Sequence, residues 1–187
     1  ITHELTAGGF RTSYRIENHS AVSMPCSIGG HVGFRCPMED GKFDDFELSW
    51  ADHECVLLFP YDTPAAPEPL LAELLVDSCR ELDVSHALFD LGTLLMLQPQ
   101  NSIITLQNPK SGVGVRMEYE GFPVLALWSK EYANAPFLCI EPWHGVPDLV
   151  GETGRMEDKR FMMSLAPGEE KLLSYTVTVL ERSQEDG

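Results

Sequence analysis

Short stretches in which polar and apolar residues alternate, each closed off by turn-forming residues, recur along most of the chain. They constrain the fold more than any other feature. FRTSYRIEN (10–18), DDFELSW (44–50), SIITLQN (102–108), GVGVRMEY (112–119), VLALWS (124–129), FLCIEP (137–142) and KLLSYTVTVLE (171–181) all have this form. A period of two is that of a strand with one face buried. Turn residues fall between them at Gly8-Gly9-Phe10, Glu39-Asp40-Gly41, Asn108-Pro109-Lys110-Ser111-Gly112 and Ala166-Pro167-Gly168. The pattern predicts an all-β chain arranged as an antiparallel β-sandwich, two packed sheets without crossover helices. PEPLLAELLVDSCRELD (67–83) is ambiguous, since it reads as a helix or as a loop followed by a strand. No repeat and no Pro-rich or Ser/Gly-rich linker divides the chain, so residues 1–187 are expected to form a single domain.

Charge narrows the partners. The 187 residues carry 29 acidic and 13 basic side chains, a formal net charge of -16. Such a surface repels phosphate backbones and anionic headgroups, so neither nucleic acid nor membrane is an expected partner. No apolar run approaches the roughly 20 residues that span a bilayer. Cys26, Cys36, Cys55, Cys79 and Cys139 are odd in number and form no CxxC pair. Reduced thiols in the cytoplasm fit better than a disulfide framework. No ligand pair stands at metal spacing, and no metal site is expected.

Two segments stand out chemically. In Met24-Pro25-Cys26-Ser27-Ile28-Gly29-Gly30-His31-Val32-Gly33-Phe34, paired glycines precede a histidine, letting another strand or a ligand approach and making His31 a candidate acid or base. The plainer alternative is a loop glycine pair beside a hydrogen-bonded core histidine. In Pro136-Phe137-Leu138-Cys139-Ile140-Glu141-Pro142-Trp143-His144-Gly145, Glu141 ends an apolar run, where it is either desolvated, with a raised pKa, or turned to solvent. Trp143 offers a flat face for a sugar ring or simply packs, and His144 is a second polar contact or a rim residue. An apolar platform with a His and a Glu is the minimum equipment for moving protons on a neutral polyol.

These blocks also carry a resemblance. SIGGHVGF (27–34) is similar to the SIGGHPAF signature, and FLCIEPWHG (137–145) to the FICIEPW-G signature, of the aldose 1-epimerase (galactose mutarotase-like) family. Their order and separation agree, as do GFPVLALWS (121–129) and the closing LAPGE (165–169) before a strand. The resemblance covers essentially the whole chain. It implies a β-supersandwich that interconverts the α and β anomers of a free aldose, such as glucose or galactose, with no metal and no organic cofactor. Mapped by motif, Glu141 is the base that takes the anomeric hydroxyl proton and His31 the acid that protonates the ring oxygen, on opposite sides of one pocket. Phe34, His86, Trp143 and His144 are the expected sugar contacts. Two readings compete with an epimerase of free sugars: a carbohydrate-binding or regulatory module that has lost turnover, and a sugar-phosphate epimerase, which 13 scattered basic residues do little to support.

The departures from the family pattern also carry expectations. His86, in Ser85-His86-Ala87-Leu88-Phe89-Asp90, stands where this branch usually has an acidic residue, and Val32-Gly33 replaces Pro-Ala. The first residues, Ile1-Thr2-His3-Glu4-Leu5, enter directly in strand-like sequence. Family members carry a further N-terminal portion with strands, an arginine and a histidine of the sugar site. The chain is therefore expected to be the C-terminal part of a longer polypeptide, its sandwich completed by that portion or by another chain. Outside the two blocks, His3, His19 and His53 are expected to be exposed, the acidic run 39–47 to be a solvated face, and Trp50 and Met162-Met163 to fill the core.

Overall fold

The computed structural model describes residues 1–60, 73–147 and 153–182. Fourteen strands account for most of them: β1 (Thr2–Thr6), β2 (Gly9–Glu17), β3 (Met24–Cys26), β4 (Ile28–Gly29), β5 (Val32–Arg35), β6 (Glu47–Pro60), β7 (Glu73–Asp83), β8 (Gly92–Leu97), β9 (Ile103–Gln107), β10 (Gly114–Glu118), β11 (Val124–Trp128), β12 (Phe137–His144), β13 (Met163–Leu165) and β14 (Glu170–Leu180). The single α-helical turn among the described residues is α1 (His86–Phe89). Every strand pair is antiparallel, as the alternation requires. The ambiguous stretch resolves in favour of a strand over 73–83, while Pro69, Leu70 and Leu71 lie outside the described residues.

The layering differs in detail from two separate sheets. Twelve strands form one hydrogen-bonded sheet, in the order β1-β2-β14-β10-β9-β6-β8-β11-β12-β4, with β5 on β12 and β7 on β6; β3 and β13 make a small second ribbon. The sheet can enclose a core because β6 is long and irregular. Its first residues, Glu47 to Ser49, pair with β9, whereas Leu57, Leu58 and Phe59 pair with β8, and register shifts interrupt its pairing with β7 in between. Bulges bend a strand and increase its twist, so β6 carries the chain from one half of the curled sheet to the other.

The inner faces then meet. Ile104 and Leu106 of β9, Met117 of β10, and Tyr175 and Val177 of β14 share one core with Leu94 and Met96 of β8, Leu125 and Leu127 of β11, and Leu138 and Ile140 of β12. Burying each such aliphatic side chain contributes about 1.5–3 kcal/mol. A smaller apolar cluster lies on the other face of β8, β11 and β12: Phe59, Leu95, Val124, Ala126 and Val146, with Leu57, Leu97, Trp143 and Phe161 against it. That outer face positions the site. No helix among the described residues is long and apolar enough to cross a membrane.

Candidate functional site

β4 and β5 both pair with β12, and the register continues across the gap between them. Gly29 faces Trp143 and Val32 faces Ile140, so Gly30 and His31 face Pro142 and Glu141. The ladder there is held by the Gly30 amide, which donates to the Pro142 carbonyl at 3.0 Å. Side chains two apart share a face. Phe137, Cys139, Glu141 and Trp143 therefore point away from the core that Leu138 and Ile140 enter. Across the sheet Glu141 has Ala126 beside it, then Leu95 and Leu57. A carboxylate among such neighbours is poorly solvated.

The consequence is electrostatic. Glu141 is 3% exposed, and burial pushes its pKa from 4.5 up to about 7, although a hydrogen bond with the Trp143 side chain pulls it back down. His31 Nδ1 stands 3.3 Å from Glu141 Oε1. The His31 side chain is 66% exposed and its ring meets Trp128 edge-on, with centroids 5.8 Å apart. Both residues line an open cleft of about 370 Å³, with Gly29, Trp143, His144, Lys159 and Met162 also on its walls.

The paired glycines have separate duties. A Cβ on Gly29 would lie 2.5 Å from Trp143 Cδ1 on the outer face, and one on Gly30 would lie 2.8 Å from Tyr175 Cε1 in the core. Gly29 lets the indole lie flat against β4, and Gly30 lets the core aromatic close beneath it.

Of the residues singled out from sequence, His31, Glu141, Trp143 and His144 come together. The first two are adjacent, not on opposite sides of a pocket, because they are cross-strand neighbours. His144 is tied by Nε2 to the Gly121 carbonyl at 2.9 Å, and burial lowers its pKa. Phe34 lies on the inner face of β5, in the core and away from the cleft walls. His86 stacks on Phe43, with ring centroids 4.0 Å apart, and its buried Nδ1 has no hydrogen-bond partner. It is not among the residues lining the cleft.

His3, His19 and His53 are exposed, and Trp50 and Met163 are buried. Met162 lines the cleft instead of filling the core, and Glu39 of the acidic run is clasped by Arg182, Asn108 and Ser111. Lys159 was missed, because nothing in MEDKRF shows that the loop folds back onto the cleft. Cys139, named in the sequence only as one of five cysteines without a CxxC partner, stands two residues from Glu141 on a strand, and that spacing puts both on one face.

Comparison with known proteins places the fold. A galactose mutarotase-like protein from Lactobacillus casei superposes with a TM-score of 0.80 at 28% identity, over 95% of this chain and 61% of that one. This is a galactose mutarotase-like fold. A galactose mutarotase related enzyme from Lactobacillus acidophilus shares it, with a TM-score of 0.79 at 23% identity over 98% of this chain. Among curated proteins, the chromosomal LacX of Lactococcus lactis subsp. lactis is 28% identical over 96% of this chain, and its plasmid counterpart matches equally. The chain spans 61% of the length of these curated relatives. No protein-family model matches it.

Proposed function

We propose that this galactose mutarotase-like chain carries the acid–base pair of an aldose 1-epimerase, an isomerase interconverting the anomers of a free sugar such as glucose or galactose. The observation that supports it most is the 3.3 Å contact between His31 and a Glu141 whose pKa is raised to about 7, both at the wall of one cleft. The hydroxyl oxygen and the ring oxygen that must exchange a proton are bonded to the same anomeric carbon. As cross-strand neighbours at the cleft wall, the two side chains are close enough together for one to reach each oxygen.

The Glu141 carboxylate takes the proton from the anomeric hydroxyl while the His31 imidazolium gives one to the ring oxygen. The C1–O5 bond breaks and the free aldehyde forms. Rotation about C1–C2 presents the other face, and closure returns both protons. No redox step or added nucleophile is involved. Trp143 supplies the flat apolar surface for the ring, with His144 at its rim. We further propose that additional polypeptide, from the same chain or another, completes the sugar site, and that the reaction takes place in the cytoplasm, where the buried thiols of Cys36 and Cys139 stay reduced.

One observation favours a second reading. Lys159 on the cleft wall suits a sugar bearing an anionic group, such as a hexose phosphate. Polarimetry on freshly dissolved α-glucose, α-galactose and α-glucose 6-phosphate tests both. Faster decay of rotation on the free sugars supports the first reading, and acceleration confined to the phosphate, lost in Lys159→Met, supports the second. Acceleration of none of them, with sugar still bound, would leave a binding module.

A further inference from the structure

The outer face of β12 carries one feature the proton chemistry does not use. Cys139 and Glu141 sit side by side on that face, and His31 reaches them from across the strand gap. One ligand atom from each, the thiol sulfur, a carboxylate oxygen and an imidazole nitrogen, lies within 4.8 Å of the others. We propose that His31, Cys139 and Glu141 form a binding site for one borderline-soft divalent cation, zinc foremost, and that its occupancy halts acid–base exchange in the cleft.

The donor set argues for the metal. Sulfur, imidazole and carboxylate together suit zinc, whereas a calcium or magnesium site would be built from oxygens. Zinc-to-ligand distances of about 2.0–2.3 Å put tetrahedral ligand atoms roughly 3.3–3.8 Å apart, so the triad has to contract by about 1 Å at its widest. Cys139 and Glu141 are buried in the sheet, whereas the His31 ring is exposed and is the ligand with most room to move. Gly33, opposite Cys139, leaves the thiol without a side chain over it: a Cβ there would come to 3.4 Å of Sγ. His31 and Glu141 line the open cleft, which gives a cation a way in from water, and the net charge of -16 draws cations toward the surface.

Binding is argued from these positions alone; only the inhibitory half rests on the proposed acid–base pair. A cation there would take the nitrogen lone pair of His31 and the oxygen of Glu141 through which those groups move protons.

Cobalt titration of the intact protein tests the site, because a Co²⁺–thiolate bond gives a near-ultraviolet charge-transfer band that nitrogen and oxygen ligands do not. One equivalent of Co²⁺ should produce the band, and zinc should abolish it. Cys139→Ser should remove the band and weaken binding about 100-fold, and His31→Ala should weaken it at least about tenfold. His31 is exposed, so its variant reports even if the Cys139 variant folds poorly. Absence of the band, or unchanged affinity in His31→Ala, overturns the site. In polarimetry zinc should suppress mutarotation, and a rate unaffected at saturating zinc overturns the inhibitory half. Thiolate-bound cobalt in a protein that never accelerates mutarotation would leave the cation site standing and remove the proposed function, while mutarotation without the band would do the reverse.

Discussion

His31 and Glu141 are cross-strand neighbours on the outer face of one sheet, with Nδ1 and Oε1 3.3 Å apart. Their contact follows from a register that passes unbroken from Gly29–Trp143 to Val32–Ile140. In the proposed reaction the productive arrangement is the one with Glu141 ionised and His31 charged.

Removing the base should therefore leave the site shaped but idle. Glu141→Gln keeps the side chain's outline and accepts no proton. Acceleration of mutarotation is expected to fall about 100- to 10,000-fold, while sugar binding measured by calorimetry changes little. A variant that kept the wild-type rate would remove Glu141 from the chemistry.

The rate should depend on pH through the same group. Burial lifts the Glu141 pKa from 4.5 to about 7, and the base works only when ionised. Below that value kcat/KM should drop about tenfold per pH unit, since it reports ionisation in the free protein. Trp143→Phe deletes the hydrogen bond that lowers this pKa, so the limb should move to higher pH, whatever the variant does to KM. A limb that moved the other way would show that the indole does not stabilise the carboxylate.

Stability should show the opposite face of that shift. A pKa raised on folding contributes stability that is fully present below 4.5 and is lost as pH climbs through about 7. Above that range the buried carboxylate weakens the fold by about 3 kcal/mol relative to its protonated form. Glu141→Gln has no charge to bury. It should match the wild type in denaturant at about pH 4.5 and exceed it by up to about 3 kcal/mol near pH 8.5. An equal difference at both pH values would mean that packing, not ionisation, separates the two proteins.

Much of the fold was legible because period-two alternation is itself a consequence of burying one face. The runs at 10–18, 102–108, 124–129 and 171–181 became β2, β9, β11 and β14 almost residue for residue. β6 was read only at its start, since the bulges that bend it break the alternation beyond Trp50. At the site, His31 and Glu141 were legible as residue types and through the family resemblance, but their adjacency was not. It is a property of strand pairing, and the signal lay in matching Gly29 and Gly33 against the bulky Trp143 and Cys139. Phe34 stands three residues from His31 on an extended run, so the two point to opposite faces and Phe34 enters the core.

That matching gives the two glycines distinguishable tests. A methyl group on Gly29 would stand 2.5 Å from Trp143 Cδ1 at the cleft, and one on Gly30 would stand 2.8 Å from Tyr175 Cε1 in the core. Trp143 is half-buried and lines the cleft, so its indole can swing outward, whereas Tyr175 is packed among Tyr14 and Phe10 and has nowhere to go. Gly29→Ala is therefore expected to disturb the sugar platform first, raising KM severalfold with a small loss of stability. Gly30→Ala should lower stability by about 1–3 kcal/mol through overpacking and change KM little in the molecules that remain folded. Denaturation curves and polarimetry on both variants settle the matter, and the reverse assignment of effects would mean that Gly29 does not share the outer face with Trp143.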